Sequence, residues 1–323
     1  MSFARLKNID LFKGNLVILV IVGHVIQGGI DSNFSRYLIY SFHMPVFVGI
    51  SGVLFNIKYI NEINVQQLIK KYAFRLLLPW SLAVVFYYFF TLYQFSETFS
   101  VSSFIRAFVF PYYHLWFIPA FLSWVFMTWG LKKLKFSNNK ILAISALLSL
   151  VCTVLLKYPE LISPTFNTPD ILKAIIRSYG PQFYFFFVLG IYLKNKTLDQ
   201  INLLNYIFPI IGLVITIYLY YYPNSSISFI NFFLFNGFII NLILKIATKN
   251  LIRSNPFMEW LGVHSLAIYL WHVLPIGLCH IVFGTDNLNV FYIIVALFQV
   301  SLMISYLYLV KVDFLRKYVF GLP

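Results

Sequence analysis

The stretch LFKGNLVILVIVGHVIQGG (residues 11–29) decides how the whole chain is read. It is long and apolar enough to cross a bilayer as a helix, yet a histidine, His24, lies well inside it. An ionisable side chain in hydrocarbon is costly, so it faces a protein interior or an aqueous cavity. Two readings are open from the residue alone. His24 either packs by satisfying an interhelical hydrogen bond or carries a function, and the cost of placing it there favours the second.

The surrounding composition has the same character. Of 323 residues, 60% are hydrophobic, 20% aromatic and only 11% charged, more apolar surface than a soluble domain of this size can bury. Runs able to cross the roughly 30 Å hydrocarbon layer as helices lie near 14–30, 37–55, 74–95, 114–131, 141–157, 181–194, 203–222, 227–245, 260–283 and 289–311. The sixth is short and follows Pro181; it either begins nearer Ile171 or is partly re-entrant. The expected fold is therefore all-α and integral to the membrane: a single bundle of about ten transmembrane helices, one domain over residues 1–323. The first apolar run lacks a small-residue cleavage site and reads as a retained span.

A net charge of +14 raises the question of nucleic acid, which the placement of the basic residues answers. With the N-terminus in the cytoplasm, nineteen of the 24 Lys and Arg residues fall on the inner side. Only Arg36, Arg106, Lys157, Lys173 and Arg177 fall outside. That asymmetry is the positive-inside pattern of a membrane protein with both termini cytoplasmic, and no nucleic-acid partner is called for. Cys152 and Cys279 both sit in apolar segments and suit packing, not a disulfide framework or a zinc site; no metal is expected. The longest outer loop, roughly 158–180 with SPTFNTPD (163–170), either covers a cavity opening or is an ordinary surface loop.

The polar residues within the spans then fall into groups. Lys13 and His24 are eleven positions apart, so on a helix they share one face and stand about 16 Å apart along the axis. Asp10 lies just before Lys13 on the same side. The order acid, base, imidazole suits a donor with a charged head and a long thin arm, although Lys13 also fits a simple interfacial anchor. In YSFHMPVFVGISGVLF (40–55), Pro45 leaves a backbone carbonyl free and Gly49, Ser51 and Gly52 permit close helix approach. His43 and Ser51 there are candidates for the acceptor side or for polarising a carbonyl. KKYAFRLLLPW (70–80) places Lys70, Lys71 and Arg75 at the inner mouth, a cluster that suits phosphate or, for the lysines, charge anchoring. His114 and Trp116 in YYHLWFIPAF (112–121) lie at the outer interface, and His272 in HSLAIYLWHVLP (264–275) reaches roughly the depth of His24. His264 and His280 read as structural.

Taken together, NIDLFKGNLVILVIVGH (8–24), FHMPVFVGISGVLF (42–55), FRLLLPW (74–80), HLWFIPAF (114–121) and IYLWH (268–272) resemble membrane-bound acyltransferase family 3. These are the integral O-acyltransferases of bacterial surface polysaccharides such as O-antigen and capsule, and within them the chain looks most like the fucose-4-O-acetylase-like branch. The resemblance implies a multi-pass protein of the bacterial inner membrane, with acetyl-CoA as donor and a sugar hydroxyl of a lipid-linked or assembled glycan as acceptor. It implies that His24 is the catalytic histidine, Lys13 its basic motif partner and Arg75 part of the donor-binding side. Asp10 and Lys71 are placed with the donor, and His43, Ser51, His114, Trp116 and His272 with the acceptor. Where many members have Arg this chain has Lys13, which keeps the charge but loses the bidentate fork. In such a reaction a neutral imidazole removes the hydroxyl proton, and a transient acyl-histidine is the other route. The rival from another class is a transporter or flippase of lipid-linked glycans, for which inverted repeats or paired broken helices would be expected.

Overall fold

In lipid each backbone N–H and C=O must find its partner inside the segment, so long apolar runs fold as helices. The computed structural model describes residues 7–112, 114–158, 169–194, 201–284 and 287–322. It is 82% helix, with no strand among the described residues. Among the described residues, eight helices are long and apolar enough to cross a membrane: Asn8–Val25, Phe34–Leu54, Val65–Phe95, Asn138–Lys157, Leu204–Tyr221, Ser225–Thr248, Ser265–Phe283 and Leu288–Leu309. They correspond to eight of the ten expected spans. The expected spans 114–131 and 181–194 form shorter helices of 17 residues (Phe117–Lys133) and 11 residues (Tyr184–Lys194). The second of these does not begin near Ile171, because Gly180 takes a left-handed backbone (φ 52°) and Pro181 opens a 3₁₀ turn, which separates it from the helix Pro169–Tyr179. Residues 163–168 of the outer loop lie outside the described residues.

The chain forms two compact units, each assembled from three separated stretches. The first takes Met1–Asn61, Trp124–Tyr158 and Pro181–Ser265. Its helices include α1 (Lys7–Val25), α2 (Phe34–Leu54), α3 (Asn138–Lys157), α4 (Tyr184–Lys194), α5 (Leu204–Tyr221), α6 (Ser225–Thr248) and α7 (Pro256–Val263). Asn33, Ser137, Asn224 and Asn255 cap α2, α3, α6 and α7 with their side-chain oxygens, which fixes where each begins. Helix α2 is the hub and packs against α1, α4, α5 and α6. The small residues expected to allow this do so: a Cβ added at Gly52 would overlap the Phe187 carbonyl of α4, and one at Gly49 the Ile240 side chain of α6.

The second unit takes Glu62–Ser123, Pro159–Gly180 and Leu266–Pro323. It contains α8 (Leu288–Leu309), packed on the helix Val273–Phe283, and the long run Val65–Phe95. That run is not uniform. Pro79 has no N–H to give the Arg75 carbonyl and would clash with it in a regular helix. The ladder widens instead into a π turn at Ala73–Leu77, in which Leu78 N–H bonds the Ala73 carbonyl. Arg75 sits in the middle of that turn with its side chain exposed.

Candidate active site

Helix α1 supplies the acid, the base and the imidazole of the sequence reading. It starts earlier and stops earlier than the expected span 14–30, because Gly28 turns to φ 97° and the helix ends at Val25. His24 therefore occupies the last turn of α1, not its middle, and its residue is half-buried. Near the other end, Lys13 Nζ lies 3.8 Å from Asp10 Oδ1, with side chains 17% and 11% exposed, so the acid and base form a largely shielded pair. The buried Asn8 donates from Nδ2 to Asn250 Oδ1 at 2.9 Å, tying the start of α1 to the turn that follows α6. Helix α7 lies backbone to backbone on this half of α1: a Cβ at Gly14 would overlap the Met258 carbonyl, and one at Gly262 the Asp10 carbonyl. The Asp10–Lys13 pair is thus carried on a tightly clamped segment.

At the His24 end the first unit gathers a group of rings. The Tyr40 ring meets the His24 ring edge-on at 6.4 Å between centroids and the His43 ring at 4.9 Å. His43 is buried, and its Nδ1–H donates to the Ile39 carbonyl at 2.7 Å, since a carbonyl only accepts. Ser51 Oγ donates back to the Phe47 carbonyl at 2.9 Å, the usual arrangement of a serine within a helix. Pro45 does free a carbonyl, that of Ser41 four residues earlier, and Asn236 of α6 answers it with Nδ2 at 3.0 Å.

The second unit brings the HLWFIPAF and IYLWH stretches together. The His114 and His272 rings meet edge-on at 5.7 Å, and Tyr87 contacts His114 at 4.5 Å. The Tyr269 hydroxyl donates to the His114 carbonyl and accepts from Phe117 N–H at 3.1 Å, so a single phenol pins the loop that carries His114 and Trp116. His272 Nδ1–H donates to the Tyr269 carbonyl at 2.8 Å, and Gln299 of α8 donates to the His272 carbonyl. His114 and His272 are only 2% and 1% exposed, whereas Trp116 is half-buried and offers the reachable surface of this group. Lys71 is half-buried with its ammonium 5.4 Å from the Tyr72 ring centroid, one turn before Arg75. His264 stacks on Trp260 at 4.5 Å in the first unit. Cys152 and Cys279 are both buried and unbridged.

Three residues that no sequence motif singled out hold these groups in place: Tyr40, Asn236 and Tyr269. Tyr40 had a signal, since it stands three residues before His43 and hence on the same helix face. Pro45 announced the orphan carbonyl that Asn236 satisfies, without naming the partner. Tyr269 had no signal beyond its place in IYLWH.

A family model described as an acyltransferase domain matches residues 6–310, nearly the whole chain. No curated protein and no solved structure matches it.

Proposed function

Since the chain belongs to acyltransferase family 3, we propose that this membrane acyltransferase moves an acetyl group from cytoplasmic acetyl-CoA to a sugar hydroxyl of a cell-surface or lipid-linked polysaccharide. Its place of work is the bacterial inner membrane. His24 is the base. The observation that carries this role is its position: a half-buried imidazole at the end of an apolar helix whose opposite end holds the shielded Asp10–Lys13 pair.

The chemistry follows from a neutral imidazole. The sugar hydroxyl gives its proton to His24 as its oxygen bonds to the thioester carbonyl carbon. The carbon–sulfur bond then breaks, the acetyl group stays on the sugar oxygen as an ester, and the thiolate recovers the proton from the imidazolium. Lys13 serves the donor's phosphates, with Asp10 fixing the direction of its ammonium. In the second unit, Lys71 and Arg75 of the KKYAFRLLLPW stretch also serve the donor's phosphates, and both are reachable by an anion. In the first unit His43 and Ser51 of α2 serve the acceptor; in the second unit His114 and His272 serve it by setting the loop that presents Trp116.

The test is acetyl transfer by purified full-length protein in detergent, with acetyl-CoA as donor and alkali-deacetylated glycan from the source cells as acceptor. Acetyl ester on the glycan by mass spectrometry is the expected product, and its absence overturns the proposal. In the same assay Lys13→Ala raises the KM for acetyl-CoA about tenfold, the cost of one charge-assisted contact. An unchanged KM returns Lys13 to the role of membrane anchor.

A further inference from the structure

The N-terminal turns of α2 hold a cation that neither the donor nor membrane anchoring explains. Arg36 falls on the expected outer side, against the inward bias of nineteen of the 24 basic residues. Its guanidinium donates to the Gly28 carbonyl, in the turn that ends α1, and its centre lies 5.4 Å from the Tyr40 ring centroid. The buried Nε has no hydrogen-bond partner among the described residues. A guanidinium held against an aromatic ring and a carbonyl keeps its plane in one orientation, and the charge it carries favours a carboxylate or phosphate at the N–H groups not engaged by Gly28.

Tyr40 links this cation to His24. It is seated in a notch made by Gly23, where an added Cβ would stand 3.0 Å from Tyr40 Cε2 and 3.3 Å from Ile39 Cγ2. The sequence GH at 23–24 therefore brings the Tyr40 ring against the backbone immediately before the histidine. Beside it, Tyr220 of α5 meets Tyr37 at 5.1 Å and Phe34 at 5.2 Å, and Arg36, Tyr37, Tyr40 and Tyr220 are all partly exposed. An interfacial aromatic belt accounts for the exposed Tyr218, Tyr221 and Tyr222, but not for a tyrosine fitted over Gly23 with its edge to His24. Tyrosine rings give an apolar face and a polar tip, which suits the two kinds of surface a sugar presents.

We infer that Arg36 and Tyr40 form an acceptor subsite that binds an anionic group carried by the glycan and so sets the reacting hydroxyl beside His24. This rests on the acyltransferase reading above and deepens it: the acceptor is an acidic glycan, its charge being either a sugar carboxylate or the phosphate that joins it to a lipid.

Binding of three probes to purified full-length protein tests it: a glucuronate trisaccharide, a short-chain polyprenyl phosphate and neutral maltotriose. The wild type is expected to bind one of the two anionic probes about tenfold tighter than maltotriose, and the one it prefers identifies the charged group. Arg36→Ala is expected to lose that preference, Arg36→Lys to keep part of it, and Arg106→Ala to bind as the wild type does. The subsite is overturned by a wild type that prefers neither anion, by Arg36→Ala binding like the wild type, or by an equal loss in Arg106→Ala. In the transfer assay Arg36→Ala and Tyr40→Ala raise the KM for the glycan about tenfold and leave the KM for acetyl-CoA unchanged. Preference for an anion, lost in Arg36→Ala, without any acetyl transfer would sustain Arg36 and Tyr40 as an anion-binding site while overturning the acetyltransferase reading; normal transfer with an unaltered Arg36→Ala removes the subsite alone.

Discussion

At Asn236 one amide does the work that a proline undid. Pro45 denies the Ser41 carbonyl its helical partner, and Asn236, fully buried on α6, supplies 3.0 Å and 2.8 Å hydrogen bonds to Ser41 and Phe232. Asn236→Leu keeps the branched skeleton of the side chain and strands the carbonyl, so it is expected to lower stability by about 1–3 kcal/mol, read as a lower Tm in detergent. An unchanged Tm would mean the carbonyl finds another partner. Tyr269→Phe is the parallel case in the second unit: it removes the hydroxyl shared by the His114 carbonyl and Phe117 N–H and should cost a similar amount. At this scale the sequence reveals residues whose chemistry is at odds with lipid. His24 and His43 stand out because an ionisable ring is costly in a span, and Pro45 because it breaks the helical hydrogen-bond ladder. It hides Asn236 and Tyr269, because an asparagine or a tyrosine in an apolar helix looks the same whether it faces lipid or bonds a carbonyl.

The elements were legible as runs and less so at their ends. The sequence reading carries the span of residues 11–29 through Ile26, Gln27 and Gly28, whereas the helix ends at Val25, and this shifts His24 from mid-helix to the last turn. In the long run Val65–Phe95, Pro79 sits where the ladder widens to a π turn, a local rearrangement that periodicity alone does not convey. The clamp of α7 on α1 was also hidden, since Gly14 and Gly262 are 248 positions apart and nothing in the sequence pairs them. It yields a prediction at the level of the element. Gly262→Leu cannot fit against the Asp10 carbonyl, so it must push α7 from α1 and displace the Asp10–Lys13 pair. The expected result is a loss of about 1–3 kcal/mol in stability with a raised KM for acetyl-CoA. Retention of the wild-type Tm and KM would show that the pair does not depend on this contact.

Over the whole molecule, composition alone conveyed the class, because so much apolar surface is affordable only in lipid. Eight of ten expected spans are long apolar helices, and the two that fell short are those flanked by irregular backbone or by a loop held through side chains. The orientation proposed from the Lys and Arg bias is tested at the loop between α5 and α6. A cysteine at the exposed Asn224, in a chain whose own two cysteines are buried, is expected to react with a membrane-impermeant maleimide on intact spheroplasts. Reaction only after permeabilisation would invert the topology and with it the side from which donor and acceptor approach. The most direct measurement of the central claim is acetyl transfer by His24→Ala at wild-type abundance and Tm. Loss of the base predicts a fall of at least about 100-fold in kcat with the protein still folded; transfer within a few-fold of the wild type would contradict it.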